Sequence, residues 1–545
     1  MSVKLIDCTL RDGGYYNDWD FRQELVTDYL QAMVALDVDF VEIGFRLVEN
    51  EGFKGGYAFS TDGFIQSIGI PVALRDKIGV MVNGVDLLPK DTSQDTLGFQ
   101  QKVLNKLFKD KVDSPVTLVR IACHVDEFEQ CLSAATWLKS KGYLVGFNLM
   151  QISNCTESEI KLLAEQANQY SIDVLYFADS MGSLDGKQTK KIIQAFKQAW
   201  TGELGIHAHD NMGQAIANSL QAVKEGVTWL DSTVTGMGRG PGNAQTEYLV
   251  LALSEHKPKS NPTHLFELIR KYFKSLQAQY GWGTNPYYYL AGKFSIHPTF
   301  VQEMMADNRY SDEDIIAVID QLKIEGGKKF NLNTLDAARH FYVGEPRGSW
   351  NPIDLIKGRD VLILGTGPGV AIHQKAIEAY IQNNKPFVMA LNAQSIIAKD
   401  LIDVRVACHP VRLLADCQEH LDLEQPLITP ASMLPVNVKK MLAGKELLDY
   451  GIEIKEGIFD FHEHFCTLPT SLVAGYALAI ASCGRADRIF LAGFDGYGAD
   501  DARRKEMDGL LKDYAHSLSA RPIISITPTR YEINTQSIYA MPSSL

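Results

Sequence analysis

From the first residue to about residue 250, short apolar runs rich in β-branched residues alternate with longer segments whose apolar positions recur at helical spacing. The short runs read as buried strands and the longer segments as amphipathic helices. Eight runs can be counted, at residues 3–7, 39–45, 77–83, 116–123, 144–150, 174–179, 204–209 and 229–235. Eight strands, each followed by a helix, predict an α/β fold of the (β/α)8 TIM-barrel class, in which functional groups gather at the C-terminal ends of the strands. Polar residues fall where that rule wants them. Arg11 and Asp12 follow the first run, Glu42 lies on the second, and Arg120 and His124 end the fourth. Asn148 is on the fifth, Asp179 ends the sixth, His207 and His209 end the seventh, and Asn243 follows the eighth. The barrel is expected over residues 1–255.

Beyond it the alternation is lost. Residues 256–345 read as a helical extension over the barrel mouth, carrying the aromatic cluster Tyr280, Trp282, Tyr287, Tyr288 and Tyr289. Residues 346–358 are rich in turn formers and read as a linker. An apolar run then leads into Gly365-Thr366-Gly367-Pro368-Gly369, a helical stretch and a second apolar run ending at Asn392. This is the opening of a Rossmann-like α/β domain expected over 359–545. The most apolar stretch, 471–483, falls short of the roughly 20 residues that span a bilayer. It reads as a buried helix, and no membrane partner is expected.

His207 and His209, two apart on a strand, point to one face. With Asp12 and Asn243 they form a mixed nitrogen and oxygen donor set that suits Mn2+, Mg2+ or Co2+ better than a structural zinc. Arg11 adds a fixed positive charge beside which an anion could form. Composition narrows the picture further: 46% hydrophobic and 22% charged residues are those of a soluble globular chain, and a net charge of −13 argues against a nucleic-acid partner. The eight cysteines include no C-x-x-C pair and are expected to be reduced thiols of a cytoplasmic protein. The chain enters a strand almost at once, so secretion is not expected.

Taken in order, D-C-T-L-R-D-G-G at 7–14, V-R-I-A-C-H-V-D-E at 119–127, F-A-D-S-M-G at 177–182, G-I-H-A-H-D-N at 205–211 and G-M-G-R-G-P-G-N-A-Q-T-E at 236–247 resemble the DRE-TIM metallolyases. That superfamily includes hydroxymethylglutaryl-CoA lyase, isopropylmalate synthase and 4-hydroxy-2-oxovalerate aldolase. The resemblance implies Asp12, His207 and His209 as metal ligands, Asn243 as a fourth, and Arg11 as the stabiliser of an enolate. A divalent ion chelated by a 2-oxo acid would acidify its C3, and a base on the 4-hydroxyl would then make or break the C3–C4 bond. No lysine sits at a strand C-terminus to offer a Schiff base, Lys4 and Lys77 lying at strand beginnings. The loop at 236–243 lacks the cysteine of the CoA-thioester lyases, which leaves the pyruvate aldolases closest. Those aldolases carry a catalytic histidine three residues after the metal aspartate, where this chain has Tyr15. His124, then Tyr15, then Tyr288 are the candidates for proton transfer, Tyr16 standing behind them, and Glu42 is expected to orient Arg11.

The reading that follows is a metal-dependent aldolase acting on pyruvate and an aldehyde, expected as a homo-oligomer. An acyl-CoA Claisen synthase of the isopropylmalate type and a catalytically silent metabolite-binding scaffold are the alternatives. In the C-terminal domain, Gly365, Gly367 and Gly369 could cradle a phosphate, and Asn392 stands where a nicotinamide dinucleotide site would carry an acid. That domain resembles the Rossmann-like domains of bacterial sialyltransferases and of the pterin-pyrophosphokinase-like family, which implies a nucleotide or nucleotide sugar and a role in carbohydrate biosynthesis. His462 and His464, again two apart, are read as packing or substrate contacts rather than a second metal site.

Overall fold

The computed structural model describes residues 3–48, 52–91, 95–306, 310, 312–325, 327, 345–409, 412–413, 416–434, 436–455, 457–497, 501–518 and 520–540. The chain divides into two compact units, Met1–Glu303 with Gly326–Phe330, and Met304–Glu325 with Asn331–Leu545.

The first unit is a closed parallel barrel of β1 (Lys4–Asp7), β2 (Phe40–Phe45), β3 (Ile78–Asn83), β4 (Leu118–His124), β5 (Leu144–Met150), β6 (Val174–Asp179), β7 (Glu203–Ala208) and β8 (Trp229–Ser232), with β8 pairing back onto β1. Each strand of the sequence reading is present. The eighth ends earlier than expected because Thr233 leaves the β1 edge and bridges Gln245 instead. His209 likewise falls beyond β7, where it pairs across to Asn243.

Strand side chains alternate between two environments. One set faces inward, with Ile6, Phe40, Leu118, Val174, Tyr176 and Trp229 forming an apolar plug. Two residues further along three of these strands, still facing inward, stand the polar groups Glu42, Arg120 and Asp231, and on β7 His207 lies two beyond Gly205. The other set packs outward against the helices in one continuous apolar core. The helices begin where the sequence supplies caps: Thr156 with Glu159 and Asp185 with Gln188 form reciprocal capping boxes. After the barrel come helices Thr263–Leu268, Lys274–Tyr280, Pro286–Lys293, Pro298–Ala306 and Asp312–Glu325, the last belonging to the second unit. Asn285 caps the Pro286–Lys293 helix through the N–H groups of Tyr287 and Tyr288. The expected helical continuation through 328–344 lies outside the described residues. Among the described residues no helix is long and apolar enough to cross a membrane, and the stretch expected as a buried helix is one, at Val473–Cys483.

The second unit carries a parallel sheet of β9 (Val361–Leu364), β10 (Phe387–Leu391), β11 (Val404–Val406), β12 (Leu427–Thr429) and β13 (Leu447–Asp449). A small three-stranded sheet follows, of β14 (Gly451–Ile454), β15 (Asp460–Phe461) and β16 (Phe465–Leu468). The chain then returns to the first sheet as β17 (Ile489–Ala492), β18 (Ile523–Ser525) and β19 (Asn534–Thr535). The strand order 13-12-11-10-9-17-18-19 reverses direction between β9 and β17, a topological switch point.

Gly205 shows how tightly the barrel interior is filled. A Cβ there would lie 2.5 Å from the Tyr176 ring, itself fixed over Arg120. Gly205→Ala is expected to lower the stability of the first unit by about 1–3 kcal/mol through overpacking. A drop in the urea midpoint followed by tryptophan fluorescence checks this, since five of the six tryptophans lie in this unit and Trp350 does not.

Candidate active site

The inward polar residues form a closed circuit of charge. Arg120 donates from Nε and Nη2 to the two Glu42 oxygens at 2.7 and 2.6 Å, and from Nη1 to both Asp231 oxygens at 2.8 Å. Arg11 donates from Nε to Glu42 at 2.8 Å and from Nη1 to Asp12 at 2.6 Å. On the other side Asp231 meets His207 Nδ1 at 2.9 Å, and His207 Nε2 returns to Asp12 at 3.7 Å. All six residues are buried. Charge-assisted, partly bidentate contacts of this kind fix side-chain orientation as well as charge. Burial opposes the Asp12 carboxylate, yet the charge of Arg11, with His207 and His209, holds it well below the ordinary carboxylate range. Burial likewise works against the Arg11 guanidinium, and Asp12 and Glu42 outweigh it, so Arg11 stays charged.

Asn243 reaches the circuit through the backbone. Asp210 N–H donates to Gly242 O at 2.9 Å and Ala244 N–H to Ala208 O at 3.0 Å, which seats Asn243 opposite His209. Its Nδ2 donates to Asp12 Oδ2. The rings of His207 and His209 stand edge to face with centroids 5.0 Å apart. Burial, then the neighbouring His207, pushes His209 well below its ordinary value, so its ring is neutral and keeps a lone pair.

Whether these groups suit a cation can be judged from what they leave unsatisfied. His209 Nδ1, Asn243 Oδ1 and Arg11 Nη2 are buried without a hydrogen-bond partner among the described residues. Three carboxylates (Asp12, Glu42, Asp231) face two guanidiniums (Arg11, Arg120), a surplus of negative charge beside two imidazoles. Asp231 on His207 Nδ1 is the carboxylate–histidine arrangement that orients a metal-binding imidazole. Cys8, His207 and Asp231 also bring ligand atoms within 4.8 Å of one another. That trio is the poorer candidate: both Asp231 oxygens already accept from Arg120, and the Cys8 thiol, pushed up by burial, donates to Ser232 O at 3.4 Å. The donor set Asp12, His207, His209 and Asn243 therefore fits a divalent cation.

Beside this cluster opens a cavity of about 530 Å³. Tyr15 and His124 line it, together with Gln151, Arg239, His297, Thr299 and Gln302. Tyr15 packs edge-on against Trp19 and Phe45, and burial pushes its hydroxyl up. His124 ends β4 with its backbone N–H on Glu127. Tyr288 is not among the lining residues; it is buried against the glycine loop, where a Cβ on Gly240 would meet its ring at 3.1 Å. Tyr16 donates its hydroxyl to Gly240 O at 3.2 Å. Asp179 accepts the backbone N–H groups of Ser183 and Leu184 and caps the turn after β6.

Asp231, Arg239 and His297 were not singled out in the sequence. Asp231 shares its inward face with Trp229, so strand alternation could have flagged it; nothing local marks His297, which arrives from a helix connection 173 residues after His124.

In the second unit Gly365, Gly367 and Asn392 line a cavity of about 580 Å³ at the strand C-terminal ends. The glycines there serve close packing: a Cβ on Gly367 would sit 2.3 Å from Asp495, and one on Gly365 2.6 Å from Gly493 O. The Gly369 N–H donates to Asp495 at 3.1 Å. His462 stacks on Phe465, and His464 Nδ1 lies 3.3 Å from Trp350 O, so the two rings have separate surroundings.

A closed eight-stranded parallel barrel with polar groups at the strand C-terminal ends defines a TIM-barrel enzyme. The HMGL-like family profile matches residues 117–271. The 4-hydroxy-2-oxovalerate aldolase of Geobacillus thermodenitrificans is 32% identical over 260 residues, 46% of this chain and 69% of its own length. That of Carboxydothermus hydrogenoformans is 31% identical over 264 residues, 46% of this chain and 71% of its own. A crystallographic N-terminal domain from Bacteroides vulgatus matches 58% of this chain and 99% of itself, at 29% identity and a TM-score of 0.49. The chain belongs to the HMGL-like (DRE-TIM) family, and its barrel is a carbon–carbon lyase domain of the aldolase type.

Two outcomes are expected of the site. Arg120→Met takes from the buried Glu42 and Asp231 the cation they share, leaving Glu42 only Arg11 and Asp231 only His207, and should cost about 3–5 kcal/mol in urea unfolding; replacing all three with neutral residues should recover much of that loss. Burial raises Asp179 from 3.8 to about 6. The folded state thus holds a proton that the unfolded state has released between these values, and stability falls as pH rises through that window. Asp179→Asn should remove this dependence, so its destabilisation relative to the natural chain is expected to shrink by up to about 3 kcal/mol between pH 4 and pH 7.

Proposed function

We propose that the barrel is a divalent-metal-dependent aldolase that makes or breaks the C3–C4 bond of a 4-hydroxy-2-oxo acid by way of a pyruvate enolate. The observation that carries this reading is the charge circuit, which leaves Arg11 Nη2 without a partner beside the Asp12, His207, His209 and Asn243 donors. A cation held by those four groups supplies the Lewis acidity that polarises a 2-oxo acid and acidifies its C3.

The chain's own residues do the rest. Arg11, fixed by Glu42 and Asp12, offers its free N–H to the oxygen on which charge develops, and being preoriented needs no rearrangement to do so. In the synthetic direction a base first takes a C3 proton of pyruvate; the enolate C=C pair then bonds C3 to the aldehyde carbon as the 2-oxo group re-forms, the aldehyde π pair moves to its oxygen, and a proton completes the 4-hydroxyl. His124 is the foremost donor for that proton, and Tyr15 the second. In cleavage the same group takes the proton back. Asp231 holds the His207 ring with Nε2 turned towards Asp12. Tyr288, packed under the glycine loop, is better suited to supporting that loop than to proton transfer.

For the second unit we retain a nucleotide or nucleotide sugar as ligand, supported by the cavity at the switch point between β9 and β17. Asp495 on the Gly369 N–H is a reason to look for the phosphates elsewhere in that cavity than in the glycine turn.

Proton NMR of pyruvate in D2O tests the barrel reading, using Mg2+ and a low, non-broadening level of Mn2+. The C3 methyl signal is expected to disappear, and to persist with chelator or with His209→Ala; Arg11→Gln should slow the loss by about 100-fold or more. Persistence of the signal with either metal in the natural chain would rule out pyruvate as the nucleophile and direct attention to acetyl-CoA.

A further inference from the structure

The guanidinium of Arg239 lines the barrel cavity with no carboxylate paired to it among the described residues, and its Nε is buried without a hydrogen-bond partner. Its backbone is fixed on several sides. Gly242 N–H donates to Arg239 O at 3.2 Å, and Tyr16 O–H and Gly283 N–H donate to Gly240 O at 3.2 and 3.3 Å. The preceding Gly238 lies so close to the cluster that a Cβ would sit 2.3 Å from Asn243 Nδ2 and 3.0 Å from Asp12 Oδ2. Arg239 therefore stands one residue from the candidate metal cluster, with its guanidinium 5.8 Å from the centre of the Tyr15 ring.

Among the described residues no acid lines this cavity to balance that charge. The other polar groups are His124, Gln151, His297, Thr299 and Gln302. Burial, with Arg239 and His124 adding to it, pushes His297 down to about 3, so its ring is neutral and offers hydrogen bonding rather than a second charge. A cavity of about 530 Å³ is far larger than a three-carbon acid requires, leaving room for a second reactant.

We infer that the acceptor aldehyde of this enzyme carries an anionic group, a carboxylate or a phosphate, which Arg239 binds. The inference rests on the aldolase reading above. An arginine fork matches the paired oxygens of either anion. A neutral aldehyde would leave the buried Nε of Arg239 without a partner, and sites built around a charged partner discriminate steeply against ligands that lack it. Arg239 is thus a specificity residue for the acceptor, distinct from Arg11, whose place is at the pyruvate oxygen.

The test compares condensation of pyruvate with glyoxylate and succinate semialdehyde (carboxylates), glyceraldehyde 3-phosphate (phosphate) and propanal (neutral), using the full chain with Mg2+. The anionic aldehydes are expected to exceed propanal in kcat/KM by about 10- to 100-fold, the carboxylate and phosphate arms deciding which anion is preferred. Arg239→Gln should collapse that ratio by a similar factor, and Arg239→Lys, which keeps the charge but not the fork, should fall between them. Circular dichroism of each variant monitors folding. Preference for propanal, or a ratio unmoved by Arg239→Gln, would overturn the inference. So would a rise in the pyruvate concentration for half-maximal C3 exchange that matches the loss with aldehyde, because Arg239 would then hold the pyruvate carboxylate. A natural chain that exchanges no pyruvate protons would instead sink the aldolase reading, and this inference with it.

Discussion

Everything at the barrel mouth depends on Arg120, a fully buried cation holding two carboxylates from β2 and β8, the strands that flank β1. A lone guanidinium buried there would be strongly destabilising, since removing it from water is far more costly than any one contact returns. With Glu42 on one side and Asp231 on the other, the guanidinium has a carboxylate for each face of its donor fork. The arrangement confers little net stability over a well-packed apolar layer, but it orients groups. Glu42, held by Arg120, aligns Arg11; Asp231, held by the same arginine, aligns His207. The two ends of the circuit meet at Asp12.

That geometry explains a division of labour along the barrel axis. Apolar residues such as Ile6, Leu118 and Trp229 fill the lower layer and exclude water. The charged layer comes next, and the polar cavity of Tyr15, His124 and Arg239 opens beyond it. Because water is kept from below, electrostatic contacts in the middle layer act at low effective dielectric. The residues closest to the proposed chemistry are therefore anchored on strands or immediately after them, whereas those lining the cavity, His124 at the end of β4 apart, come from loops and from the helices after the barrel. Strand-borne groups suit chemistry that needs fixed distances; loop-borne groups suit discrimination among second substrates.

The second unit shows the same elements used differently. Its glycine-rich turn follows β9 as a phosphate-binding turn would, but the glycines leave room for Gly493 and Asp495 at the end of β17. A carboxylate already accepts the N–H that a phosphate would seek. The cavity nearby retains Arg412, Arg503 and the open start of the Val473–Cys483 helix, so its ligand chemistry is set by several loops rather than by the turn.

Strand alternation and motif order sufficed to count the barrel strands and to place Asp12, His207 and His209 at their C-terminal ends, because periods of 2 and 3.6 residues and the location of polar groups at strand ends are local properties of the chain. The family likeness lay in the same short segments. What the tertiary structure decided involves groups brought together from distant positions. Asp231 meets Arg120 across 111 residues, and Asn243 meets Asp12 across 231. Tyr288 looked from its aromatic cluster like a candidate for the pocket, and packing put it beneath Gly240 instead. Gly369 looked like a phosphate donor until Asp495, 126 residues later, took its N–H. Arg239 was visible within its glycine loop, but that no carboxylate among the described residues pairs with it could be known only from the tertiary structure, since an ion pair is a property of distance in space and not of spacing along the chain.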